Sequence, residues 1–141
     1  MDLCYVLGND SAVALAEHVG GSLEGFATLM NQKAEELGLS NTHFVTPHGL
    51  DDANHYTTAY ELAVLTDYAL NNESFRNIVN TQCTTITING NARTINNTNE
   101  LLGYLPGVNG VKTGFTNGAR KVLSYILYKR RKPNYYSSVR M

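Results

Sequence analysis

Tryptophan is absent from this 141-residue chain, cysteine occurs twice, and positions 120–141 hold no acidic residue at all. Each absence narrows the reading. Cys4 and Cys83 stand far apart, with no metal-ligand spacing, so two separate reduced thiols are expected rather than a disulfide framework or a thiolate metal centre. No apolar run reaches the length of a membrane span. The first eight residues are short and lack the positive start of a signal peptide, so no export signal is expected in the chain as given. Internal repeats and low-complexity segments are also missing. The missing acids divide the charge unevenly. Residues 1–119 carry four Lys/Arg and all twelve Asp/Glu, a net of −8, whereas residues 120–141 carry seven Lys/Arg, a net of +7. The overall charge of −1 gives no argument for a nucleic-acid partner.

What is present is ordinary for a globular domain: 43% hydrophobic and 16% charged residues, in a length that suits one domain. Residues 11–19 form a strong helix pattern, with Asn9 or Asp10 as its cap and Gly20-Gly21 as its stop. Ser22 caps a second helix to about Leu37, whose apolar face is Leu23, Phe26, Met30, Ala34 and Leu37. Residues 39–57 read as a packed loop. Thr58 and Glu61 match a capping box, opening a helix to about Leu70 with Leu62, Leu65, Ala69 and Leu70 inward. A short helix spans 73–79.

From Gln82 the period changes to two. Residues 84–88 and 92–96 flank Asn89-Gly90, a hairpin signal, and a further strand carries Val111-Lys112-Thr113-Gly114. Residues 122–128 suit one more strand. Helices first and strands last predict an α+β fold rather than an alternating parallel one. Lys112, Thr113 and Gly114 put an ammonium, a hydroxyl and a bare backbone on one strand edge, which is the chemistry a carboxylate pocket needs. His43 and His48 lie in the loop with no third ligand beside them, so a structural role in orienting the loop backbone is expected, and no metal. Asp51-Asp52 reads as a turn.

Six stretches, residues 8–22, 37–44, 47–51, 55–59, 97–99 and 109–114, together resemble the serine-type D-alanyl-D-alanine carboxypeptidases, the low-molecular-mass penicillin-binding proteins. The resemblance covers residues 5–119. It implies part of the penicillin-binding transpeptidase, β-lactamase-like fold: an α/β sandwich with a helical cluster followed by antiparallel strands. It also implies removal of the terminal D-alanine of a peptidoglycan stem peptide through an acyl-enzyme, without metal or cofactor. Within it, Lys112, Thr113 and Gly114 hold the substrate carboxylate, Lys112 belongs to the catalytic set, and Asn9 orients the acyl amide. The partners implied are stem peptides ending in D-Ala-D-Ala and, for the intact family, β-lactams and a membrane anchor. The place of action implied is outside the cytoplasm, at the cell envelope.

The chain departs from that family pattern in three places. No serine is followed three residues later by lysine, so the Ser-x-x-Lys nucleophile motif is absent and the 141 residues alone are expected to be inactive. The Ser-x-Asn position reads Leu7-Gly8-Asn9, and leucine relays no proton. After Ala119 the resemblance stops, and residues 120–141 are expected to be a basic tail, with a reading-frame shift near codon 120 as its cause and the sheet's flanking strands missing. Lys129-Arg130-Arg131-Lys132 within it reads as a solvated run. The alternative readings are a non-catalytic stem-peptide-binding fragment, a class A β-lactamase-like relative, and a basic-tailed anion binder.

Overall fold

The computed structural model describes residues 3–116, 120–129 and 132–139; for residues 3–7, 115 and the two later ranges it describes the backbone alone. The elements run α1 (Leu3–Gly20), α2 (Leu23–Glu36), α3 (Ala59–Leu70), α4 (Glu73–Val79), β1 (Cys83–Ile88), β2 (Asn91–Asn96), β3 (Val108–Thr116), β4 (Arg120–Lys129) and β5 (Lys132–Val139). They fall into two compact units. One holds the residues up to Glu61, and the other runs from Leu62 through Phe115 and includes β4 and β5.

In the first unit α1 begins earlier than the residues 11–19 expected, so Asn9 and Asp10 lie inside the helix and cap nothing. The apolar residues 3–7 contain no breaker, and Asn and Asp cost a helix interior only about 0.7 kcal/mol each, too little to stop it. At α2 the expectation holds: Ser22 Oγ accepts from the Gly25 amide at 3.0 Å. Gly38, at φ +71°, ends that helix, and the Leu39 amide returns to the Ala34 carbonyl at 2.9 Å. Among the described residues of this unit, Ala16, Ala34 and Leu39 are the buried apolar ones, and α1 and α2 pack on one another. At Gly20 the two helices meet tightly at the backbone, where an added Cβ would lie 2.3 Å from the Phe26 nitrogen.

Side chains and loop backbone tie residues 39–57 together. Asn31 grips Phe44 twice, its Nδ2 donating to the Phe44 carbonyl at 2.8 Å and its Oδ1 accepting from the Phe44 amide at 2.7 Å. His43 and Tyr56 exchange backbone bonds of 2.8 and 3.0 Å across the loop's neck. His43 Nδ1 meets the Asn54 carbonyl oxygen at 2.6 Å. Asp52 makes a turn by accepting from the Asn54 amide at 2.7 Å.

The capping box forms only in half. Thr58 Oγ1 accepts from the Glu61 amide at 3.1 Å, but the Glu61 carboxylate turns to the loop. There it accepts from the Asn41 amide at 3.0 and 3.1 Å, from Asn41 Nδ2 at 3.1 Å and from Thr42 Oγ1 at 2.5 Å. A loop without a ladder of its own needs such acceptors, and four bonds outcompete the single amide of a cap. Burial works to raise the Glu61 pKa, but the bonds from Thr42 and Asn41 outweigh it and hold the carboxyl below the usual range. Glu61→Gln keeps the shape but puts an NH2 against donors. It is expected to lower the thermal midpoint more than Thr42→Val, which removes one bond, and differential scanning fluorimetry on both variants checks the order.

His55, in the resembling stretch 55–59, is the loop histidine whose role its position in the sequence does not reveal. Its Nδ1 accepts from the Val45 and Thr46 amides at 3.1 and 3.3 Å, which requires the neutral ring. Burial pushes its pKa below 6.5; Asp52 works against that shift, while His43 and His48 add to it. A depressed folded value means that this stability is fully present above the unfolded pKa of about 6.5 and is lost as pH falls through the folded value. The urea midpoint is therefore expected to be flat above about pH 7 and to fall below about pH 6.5. In His55→Gln the midpoint is expected to be lower but less dependent on pH over that window.

The second unit begins on the buried Thr66 and Leu70 of α3, where Thr66 Oγ1 donates to the Leu62 carbonyl at 2.7 Å. Asn72 stops α3 and caps α4, accepting from the Phe75 amide at 3.0 Å. Strands β1 and β2 pair antiparallel with Ile88 opposite Asn91, leaving a two-residue turn in which Asn89 and Gly90 both have positive φ, at 49° and 77°. The sequence pair Asn-Gly is built for that turn. Cys83 on β1 carries a free, exposed thiol.

The second sheet has the order β3-β4-β5, with β4 and β5 antiparallel from Val122 opposite Val139 to Lys129 opposite Lys132. Two strands therefore stand where one was expected, and β3 has a neighbour, β4, where flanking strands were expected to be missing. Residues 132–139 include the β-favouring Tyr135, Tyr136 and Val139, and Pro133 is tolerated because β5 is an edge strand. Residue 119, the last before the expected basic tail, and Arg130-Arg131 of the basic run lie outside the described residues.

Candidate functional site

Strand β3 carries Lys112, Thr113 and Gly114 on consecutive positions, and the chain before it is built to fix where that strand starts. Residues 97–99 do this with side-chain amides. Asn97 Nδ2 donates to the Val79 and Thr81 carbonyls at 3.3 and 3.1 Å, tying the segment to the end of α4, while its own amide donates to the Gln82 carbonyl at 2.8 Å. Asn97 Oδ1 accepts from the Asn99 amide at 2.9 Å, and Asn99 Oδ1 from the Leu101 amide at 3.1 Å. These are two successive Asx turns. Asn99 is only 3% exposed, and its Nδ2 donates to the Gly110 carbonyl at 2.5 Å. Val108, also buried, anchors the first residue of β3. Gly110 follows at φ +45° with its back against Val79, and the Gly110–Val111 peptide is cis.

Beyond this fixed start the side chains turn chemical. Lys112 counts as exposed by surface area, yet enough protein surrounds its ammonium that burial pushes its pKa below the ordinary lysine value. One of its three donors goes to the Thr113 carbonyl oxygen, which leaves two for a ligand. The half-buried Thr113 hydroxyl lies 2.5 Å from the Thr98 hydroxyl. Gly114 is exposed and carries no side chain to obstruct an approaching ligand. A cation, a hydroxyl donor and open backbone in sequence on one strand edge match a carboxylate or another small planar anion. Among the described residues no group of three His, Cys, Asp or Glu is placed to hold a metal ion.

Asn9 lies in the other unit, half-buried within α1 rather than at its start. In the sequence, residues 97–99 stand out only as part of the family resemblance, although Asn-x-Asn ahead of a turn is a recognisable double Asx signal.

A family model described as D-alanyl-D-alanine carboxypeptidase matches residues 3–131. The chain belongs to the D-alanyl-D-alanine carboxypeptidase family. The match runs past residue 119 and includes β4. Among curated members, the chain is 42% identical over 118 residues to D-alanyl-D-alanine carboxypeptidase DacF of Bacillus subtilis, covering 83% of this chain and 30% of that protein. It is 40% identical over 114 residues to carboxypeptidase DacD of Escherichia coli, covering 79% of this chain and 28% of the other. Among solved structures it superposes on the Streptomyces K15 DD-transpeptidase with a TM-score of 0.83 at 32% identity, covering 92% of this chain and 54% of that one. A D-alanyl-D-alanine carboxypeptidase from Mycobacterium tuberculosis gives a TM-score of 0.80 at 32% identity, covering 93% and 52%. The chain thus spans about a third of the curated carboxypeptidases and about half of the solved DD-peptidases. The fold is a partial penicillin-binding DD-peptidase fold, α+β as the element order predicts. No helix among the described residues is long and apolar enough to cross a membrane.

Proposed function

We propose that this chain carries the carboxylate-holding edge of a serine-type D-Ala-D-Ala carboxypeptidase that acts on peptidoglycan stem peptides outside the cytoplasm. The supporting observation is the partly buried Lys112 beside Thr113 and Gly114 on β3, within a chain matched by the family over residues 3–131. Lys112 pairs with the terminal carboxylate of the peptide, Thr113 donates its hydroxyl to the same group, and Gly114 lets the peptide backbone lie close to the strand. In the whole protein a serine attacks the carbonyl between the two D-alanines, the terminal D-alanine leaves with the carboxylate that Lys112 held, and water releases the shortened peptide. A β-lactam presents a carboxylate to the same edge.

The 141 residues contain no Ser-x-x-Lys, so nothing in them forms the acyl-enzyme. The purified chain is expected to leave fluorescent penicillin unattached and to release no D-alanine from a pentapeptide; covalent labelling overturns that reading. Reversible binding of an acyl-D-alanyl-D-alanine is expected to weaken about tenfold or more in Lys112→Ala, because a charge-assisted bond is lost. Calorimetry that finds the same affinity in both proteins removes Lys112 from the site.

A further inference from the structure

The Lys112–Thr113 edge leaves one question of direction open. A threonine hydroxyl turns freely, donates one hydrogen and accepts through two lone pairs. A carboxylate only accepts, so Thr113 serves it only when its hydrogen points at the ligand and its lone pairs face elsewhere. Thr98 Oγ1 sits 2.5 Å from Thr113 Oγ1, close enough to decide this. Thr98 is itself exposed, so it adds little to any core. Its backbone is nonetheless held on both sides: Asn97 is tied to Val79, Thr81 and Gln82, and Asn99 to Gly110. An exposed hydroxyl on so firmly anchored a backbone has a function in placement rather than in packing.

We propose that Thr98 is a positioning residue of this site: its hydroxyl donates to Thr113 Oγ1, turning the Thr113 hydrogen toward the substrate carboxylate. Thr98 touches no substrate and acts only through Thr113. In the free protein either hydroxyl can be the donor. Once a carboxylate is bound, the order runs one way, from Thr98 to Thr113 to ligand, and each bond polarises the next. The inference rests on the reading of Lys112 and Thr113 as a carboxylate site and adds to it a specific partner.

The test uses the full 141-residue chain and an acyl-D-alanyl-D-alanine peptide, with affinities from calorimetry and the Thr113 side-chain rotamer from three-bond NMR couplings. Thr98→Val, equal in shape but without the hydroxyl, is expected to weaken binding about fivefold and to let the Thr113 rotamer average. Thr98→Ser restores both to within about twofold of the parent. On a Thr113→Val background the Thr98→Val change is expected to do nothing more, since its only route of action is gone. Thr98→Val binding as tightly as the parent overturns the inference, and so does an equal loss on the Thr113→Val background, which marks a general structural effect. Failure of the underlying reading looks different: the parent chain does not bind the peptide, or Lys112→Ala binds it equally well. Either result removes the carboxylate site and the role of Thr98 with it.

Discussion

Asn99→Ala is expected to destabilise the protein by about 3 kcal/mol, read as a fall in the urea midpoint with little change in slope. The side chain is buried and serves two backbone groups at once, donating to the Gly110 carbonyl at 2.5 Å and accepting from the Leu101 amide at 3.1 Å. Gly110 is itself buried, so its carbonyl finds no water when the amide is removed. Leaving the buried Gly110 carbonyl unpaired costs about 1–3 kcal/mol, and the part-buried Leu101 amide adds a smaller loss. Asn99→Asp separates the contributions. It keeps the acceptor for Leu101 but sets a carboxylate oxygen against the Gly110 carbonyl, so its loss is expected to approach that of alanine. A small effect for Asn99→Ala, below about 1 kcal/mol, means that the start of β3 is held by something other than this side chain. Because Lys112 stands two residues beyond Gly110, the same variant is expected to weaken peptide binding.

Gly110→Ala is expected to cost at least as much, for a steric reason. A Cβ there would lie 2.7 Å from Val79 Cγ2, 2.9 Å from Val79 Cβ and 3.2 Å from the Val79 carbonyl oxygen. The backbone at φ +45° is also left-handed, which costs a side-chain-bearing residue about 1 kcal/mol. Overpacking adds about 1–3 kcal/mol, so a total of about 3 kcal/mol is expected. Gly90→Ala is the control. Its φ of +77° carries the same backbone penalty, but nothing lies within 4 Å of the added atom. Its loss is expected to stay near about 1 kcal/mol. Equal losses at the two positions mean that Val79 yields, and that the packing of the α4 end against β3 is looser than the geometry states. Measuring both by urea denaturation at one pH settles the comparison.

Much of this was legible in the residues because local chemistry decides it. Ser22 caps α2, Asn89-Gly90 turns the hairpin, and Asn72 divides α3 from α4, each through a bond within three residues or a local backbone preference. The Lys112-Thr113-Gly114 edge was legible for the same reason, since its chemistry sits on consecutive positions. What escaped depends on partners far away in the chain. Glu61 matches a capping box perfectly well in sequence, yet residues twenty positions earlier claim its carboxylate. Asn9 looks like a cap, but the helix runs through it because the apolar residues before it continue the pattern. His55 stands in the resembling stretch 55–59 without a role of its own, unlike His43 and His48, because nothing in the sequence reveals that two loop amides converge on its ring. The hairpin of β4 and β5 was obscured by its charge: seven basic residues suggested a solvated tail, although β-favouring aromatic and aliphatic residues stand among them.

The central claim is that β3 recognises a terminal carboxylate, and one NMR titration tests it directly. The isotope-labelled chain is titrated with an acyl-D-alanyl-D-alanine and, separately, with the same peptide bearing a C-terminal amide. The free acid is expected to shift the amide signals of residues 110–114 and of Thr98 in a saturable way, with a dissociation constant of about 1 mM, corresponding to about −4 kcal/mol. The amide, lacking the negative charge, is expected to leave those signals in place. Equal shifts with both peptides, or shifts that avoid β3 altogether, contradict the assignment of Lys112, Thr113 and Gly114 as the carboxylate site.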